Sequence, residues 1–270
     1  TATDTLNTAV GYDAGVAVTT GVQNTIGGAL AGDALTDADF NTAFGHEALG
    51  NDTLGGNSVA LGMNALRDQN FTTATDSFNV AVGFNAGISV TTGIQNALIG
   101  NNAGDALTDS DFNVAVGAGA LTADTLGTRS VAIGHSALQT QNFSSETISN
   151  NTAVGFFAGN DITTGVSNTL IGSQTGEKIG DADNNTAVGF DALSTNVNGS
   201  ASVAIGFGAL KTQNYSSATD GLNVAVGNNA GKLISTGIQN ALVGALAGDA
   251  LGDADFNVAV GYNALTGDTL

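Results

Sequence analysis

Cysteine, proline and tryptophan are all missing from these 270 residues. Without cysteine there is neither a disulfide framework nor a thiolate metal site. The lack of proline suits a chain whose backbone amides are nearly all committed to sheet ladders, since proline cannot donate to one. Cations are scarce as well. Five Lys and Arg face 24 Asp and Glu, leaving a net charge of −19 although only 11% of residues are charged. Nucleic acid and anionic membrane both require a basic face, so this balance argues against them as partners. It fits a soluble, self-repelling surface. No apolar run approaches the roughly 20 residues of a membrane-spanning helix, so membrane insertion by this segment is not expected, and no secretory leader pattern is visible.

What is present is a repeat. Aligning the chain on the glycine of Asn79-Val80-Ala81-Val82-Gly83 gives 15 copies, at Gly11, Gly28, Gly45, Gly62, Gly83, Gly100, Gly117, Gly134, Gly155, Gly172, Gly189, Gly206, Gly227, Gly244 and Gly261. The intervals run 17, 17, 17 and 21 residues and then start over, a long period of 72. Self-similarity of this kind marks a stacked repeat architecture and overrides any count of globular domains from length. Gly is abundant (39), but 42% hydrophobic residues in a strict period can bury surface, which excludes disorder. Residues 1–270 therefore read as a single repetitive segment. The pattern opens at Thr1-Ala2-Thr3-Asp4, matching Thr73-Ala74-Thr75-Asp76, and closes at Leu265-Thr266-Gly267-Asp268-Thr269-Leu270. Both ends fall in mid-repeat, so the segment reads as a window of a longer repeat protein.

Each repeat is too short for a helix pair, and its apolar residues alternate with small ones, the period of a β-strand. The fold class predicted is all-β, a parallel β-solenoid or β-roll of 15 stacked coils. In Ser130-Val131-Ala132-Ile133-Gly134 the Val and Ile share one face, while Ser, Ala and Gly share the other. The residue before the glycine is aliphatic or Phe in every copy except Gly27, which predicts one unbroken aliphatic spine. Ala stands three residues after the glycine, with Thr175 the sole exception, and a second short strand is expected around it. The glycine itself is expected at a corner where φ is positive or a neighbouring backbone leaves no room for Cβ. The motif opens with Asn in twelve copies and Ser in three (Ser58, Ser130, Ser202), which suggests a ladder of stacked side-chain amides. At strand spacing, 15 coils would extend about 70 Å as a rod.

Repeated Ser-Val-Ala-Ile-Gly and Asn-Thr-Ala-Val-Gly segments resemble the head repeats of trimeric autotransporter adhesins. Asn257-Val258-Ala259-Val260-Gly261-Tyr262-Asn263-Ala264-Leu265 is also similar to repeats of bacteriophage tail or head fibres. The resemblance covers essentially the whole chain, although the coils are longer than the shortest ones of adhesin heads. It implies a left-handed parallel β-roll, a homotrimer or filament, and a place on a cell surface or virion.

Four segments carry alternating carboxylates followed by Asn: Asp37 and Asp39, Asp109 and Asp111, Asp181 and Asp183, Asp253 and Asp255. Oxygen ligands of this kind suit calcium, and Asp33, Asp105 and Asp249 lie just upstream. Asp-rich segments are equally ordinary turn formers, and the EF-hand spacing is absent. Each 21-residue interval adds an aromatic bulge, Gln69-Asn70-Phe71-Thr72, Gln141-Asn142-Phe143-Ser144 or Gln213-Asn214-Tyr215-Ser216. Its ring either plugs the wider coil or a chain–chain seam, or protrudes to stack on a sugar. Asn70, Asn142 and Asn214 also match the short glycosylation sequon. His46 and His135 occupy unrelated coils and read as surface or seam residues. No Ser/His/Asp arrangement, nucleophile elbow or nucleotide loop can be assembled, and no enzymatic activity is expected.

Three functions follow. The first is an extracellular structural fibre or adhesin segment that spaces or presents attachment sites. The second is a multivalent surface for host glycan or receptor. The third is ice binding, for which Thr8, Thr25 and Thr42 form a rank that Val59, Val80 and Ala97 interrupt.

Overall fold

A computed structural model describes residues 4–267. Thr1–Thr3 and Asp268–Leu270, on which the mid-repeat ends were partly read, lie outside the described residues. The described chain is all-β and forms a parallel β-solenoid with one three-residue strand per coil and no helix. It divides into two compact units, residues 1–130 with 142–147, and residues 131–141 with 148–270.

In the first unit, seven motif strands pair in chain order, from Thr8–Val10 through Thr25–Gly27, Thr42–Phe44, Val59–Leu61, Val80–Val82 and Ala97–Ile99 to Val114–Val116. In the second unit eight strands do the same, from Val131–Ile133 to Val258–Val260. Register is strict: Thr8 faces Thr25, Thr25 faces Thr42, and Thr42 faces Val59. Parallel neighbours require a crossover of a dozen or more residues, and the remainder of a 17-residue coil supplies it without a helix.

The motif glycines do both things expected of them. Gly155 has φ +146°, and a Cβ built on it would lie 2.3 Å from the carbonyl oxygen of Gly172 in the next coil. Neither that backbone conformation nor that approach admits a side chain.

The aliphatic spine lies on the opposite side from the one expected of a core. From the second motif strand onward the central residue is buried, as Ala60, Ala81 and Leu98 are, while the Val, Ile, Leu or Phe before the glycine points away from the core. A 17-residue coil is too narrow to hold two β-branched side chains from one three-residue strand. It takes the single central residue instead, Ala in most coils and Ile26, Leu98, Leu170 or Leu242 in the others, together with the residue three positions after the glycine. The second strand expected around that Ala is absent too. Those residues form a turn with two left-handed positions, for example Asn85 (φ +54°) and Gly87 (φ +58°). The ladder nonetheless runs on through the turn, as the Gly87 amide donates to the carbonyl of Ala103 at 3.0 Å.

Core filling explains the 72-residue period. Where the fourth residue after the motif glycine is Leu, as at Leu49 and Leu66, the strand centre is Ala. Gly87 and Gly104 stand at that position around Leu98, which takes the vacated space. A Cβ on Gly87 would meet Leu98 Cδ1 at 2.6 Å, and one on Gly104 would meet Leu98 Cδ2 at 2.8 Å. Dense interiors require such exchange of volume between neighbours.

Buried amides run the length of each unit. The backbone amide of Asn41 donates to Oδ1 of Asn24, and the amide of Ser58 donates to Oδ1 of Asn41, each at 2.9 Å. Nδ2 of Asn41 donates to the carbonyl of Gly55 at 2.8 Å. The ladder is therefore chiefly side chain to backbone. Direct amide–amide bonds are longer, at 3.3 Å from Asn96 to Asn79.

Candidate interaction face

The outward residue of each strand makes a ridge. Ile99 is 41% exposed in the first unit, and Ile171 and Val243 are 41% and 42% exposed in the second. Beside it runs a column just past the glycine, containing exposed Met63 and Phe84 in the first unit and Phe156, Phe190 and Phe207 in the second. Phe190 and Phe207 stack with ring centroids 5.7 Å apart. The outward residue two positions before the ridge is Thr, Val or Ala, and the residue after the ridge is Gly, so both neighbours are uncharged. A chain of net charge −19 thus keeps one face of its sheet free of carboxylates. Contiguous apolar exposure is a feature that interaction surfaces share.

The first column of the strand contains the Thr8, Thr25, Thr42 rank, in register and followed by Val59, Val80 and Ala97. The histidines are on the surface. His46 lies 4.0 Å from Glu47, and His135 stacks on Phe156 at 5.5 Å.

The paired carboxylates have separate structural tasks. Oδ1 of Asp39 accepts the amide of Val22 at 2.7 Å. Asp111 does the same for Ile94, Asp183 for Val166 and Asp255 for Ile238. The first Asp of each pair is exposed; Asp37 accepts the hydroxyl of Thr20, and Asp109 that of Thr92. Thr163 and Thr164 hydroxyls hold the Asp181 carboxyl below the ordinary carboxylate range, whereas burial pushes Asp111 above it. Among the described residues no three His, Cys, Asp or Glu side chains converge as a metal site would require. Asp111→Ala is expected to cost about 1–2 kcal/mol by orphaning the Ile94 amide, while Asp111→Asn, which retains an acceptor, stays near wild type. Thermal melting with and without EDTA checks the calcium alternative, with no shift expected.

The bulge rings turn inward. Phe71, Phe143 and Tyr215 are buried, so they plug the wider coil and cannot stack on a sugar. Asn70, Asn142 and Asn214 stay exposed beside them. Under the ring of Phe71 lies a polar cluster that sequence reading missed. Asp52, fully buried, accepts Gln69 Nε2 at 2.6 Å and the Gly55 amide at 3.0 Å. Gln69 Oε1 accepts Nδ2 of Asn79 at 2.8 Å. Burial raises the Asp52 carboxyl above its ordinary pKa, the Gln69 bond opposing the shift. The available signal was positional. Seven residues after the glycine the chain reads Val18, Leu35, Asp52 and Gln69, so two polar residues replace two core ones.

A shallow depression of about 370 Å³ in the first unit is lined by Asp33, Glu47, Asn51, Arg67 and Asp68. The Arg67 guanidinium and the Asp68 carboxylate pair within it at 2.8 Å. No family model, curated protein or solved structure matches the chain.

Proposed function

We propose that this chain is a non-enzymatic structural segment of an extracellular fibre, whose copies pack together through the uncharged ridge. The adhesin-head resemblance supplies the stoichiometry, a homotrimer on a cell surface or virion. The observation that supports the reading is the ridge itself: Ile, Val and Phe side chains exposed in register on a chain otherwise crowded with carboxylates. Covering it removes apolar surface from water, the main favourable contribution to association. Self-association through that face brings together Val, Ile and Thr and leaves the Asp residues in solvent.

Sedimentation equilibrium is expected to give a trimeric mass. The triple variant Ile171→Lys, Ile205→Lys, Val243→Lys places ammonium groups at exposed ridge positions and should sediment as a monomer with an unchanged β-sheet spectrum. A wild-type chain that stays monomeric across the concentration range would overturn the reading.

A further inference from the structure

A second outward column lies two residues before each motif strand. All 15 of its members have positive φ. Asn and Gly tolerate that conformation, and Asn57 uses it (φ +59°). Phe40, Phe78 and Phe112 occupy it too, with φ of +60°, +50° and +60°. They are 48%, 52% and 44% exposed, so little core packing compensates the strained backbone. A bulky residue held in a disfavoured conformation at the surface points to a role outside stability.

Spacing narrows that role. Through the first unit the column reads Leu6, Gln23, Phe40, Asn57, Phe78, Gln95, Phe112 and Arg129, so rings alternate with amides from Gln23 to Phe112 and the next member is a cation. Successive rings stand two coils apart, about 10 Å at strand spacing. An extended β-1,4-linked sugar chain turns the same ring face to one side once per disaccharide, a step of that order. Amide side chains between the rings can hydrogen-bond its hydroxyls.

Charge selects the sugar. Asp39 and Asp111 directly precede Phe40 and Phe112, and exposed Asp37, Asp76 and Asp109 lie within three residues of a ring. The Arg129 guanidinium already sits 5.9 Å from the centroid of Phe112, as expected where a ring face and carboxylates together favour a cation. A second copy of this chain would instead bring like charges together. We infer that Phe40, Phe78 and Phe112 form a stacking platform for an extended, positively charged β-1,4-linked amino-sugar chain. This surface goes beyond self-assembly and does not require it, because the whole rank lies in one unit of one chain.

The test uses calorimetry with three probes: a glucosamine hexamer, its N-acetylated form and hexalysine. The triple variant Phe40→Asn, Phe78→Asn, Phe112→Asn installs the residue already present at Asn57 and is expected to fold with an undiminished melting temperature. The glucosamine hexamer should bind wild type and weaken about tenfold or more in the variant, the loss expected when stacking and cation–π contacts are removed. The N-acetylated hexamer should bind more weakly than the amine, and hexalysine should not respond to the substitutions. Undetectable hexamer binding, binding unchanged in the variant, or equal affinity for the acetylated form would overturn the inference. So would a fall in sedimenting mass caused by the Phe substitutions, which would assign the rank to a second copy.

Discussion

Gly155→Ala is expected to lower stability by roughly 3–5 kcal/mol, at the severe end for a single methyl group. Two costs combine there. The φ of +146° is a conformation that side chains rarely adopt, and the new Cβ would lie 2.3 Å from the Gly172 carbonyl oxygen. That oxygen belongs to a backbone held by the next coil, so it cannot move without disturbing the ladder. Gly261→Ala separates the two costs. Its φ is also positive, at +127°, but a Cβ there meets nothing within 4 Å. Only the conformational penalty of about 1–3 kcal/mol remains. Urea denaturation of the two variants measures the difference, and equal losses would mean that the close approach between coils contributes nothing.

The buried polar cluster should give the second large effect. Gln69→Ala removes the donor at 2.6 Å from Asp52 and leaves a fully buried carboxylate with backbone donors alone, which is expected to cost about 3 kcal/mol at neutral pH, the upper end for a lost hydrogen-bond partner because the group is charged. Asp52→Asn should do the reverse. The chain already contains this substitution in its own third period, where Asn196 is buried and its Oδ1 accepts the Gly199 amide at 2.9 Å. The sign follows from linkage. Burial raises the folded-state pKa of Asp52 above its ordinary value, so the folded state holds the proton more tightly than the unfolded state. Its contribution is fully favourable below the unfolded pKa and is lost as pH rises through the folded one. Asp52→Asn should therefore stabilise the fold at neutral pH and flatten this part of the pH profile. Melting temperatures of wild type and variant across the acid range check this, and parallel profiles would mean that Asp52 does not titrate differently on folding.

Tyr215 shows the same cluster rebuilt. Gly221 stands where the first period has Ser77, and a Cβ on it would meet the Tyr215 hydroxyl oxygen at 2.6 Å. That hydroxyl donates to the Gly237 carbonyl at 2.9 Å and accepts Nδ2 of Asn223 at 3.2 Å. An extra phenolic oxygen is thus matched by a lost side chain, the compensation that a filled interior demands.

Coil count, period, parallel strands and the role of the glycines were all legible in the sequence. Each depends on spacing, and stacking converts spacing directly into register. Which face of the strand is the inside was not legible. In an isolated pentapeptide, Val and Ile outrank Ala as core residues, and only the width of the closed coil reverses that ranking. The same blindness hid the platform at Phe40, Phe78 and Phe112, because exposure and a left-handed backbone are properties of the turn before the strand. The Asp pairs were visible, but their tasks belong to partners one coil away, such as the Val22 amide for Asp39.

The exchange of volume around Leu98 bears on how such a chain can change length. Its side chain fills space left by Gly87 and Gly104 on either side, while Asp52 depends on Gln69 from the following coil. Excising one coil would leave a void beside a glycine or an acid without its amide, although every glycine corner would still fit. Recombination that respects these dependencies must add or remove four coils together, so viable length variants of this chain should differ by multiples of the whole quartet.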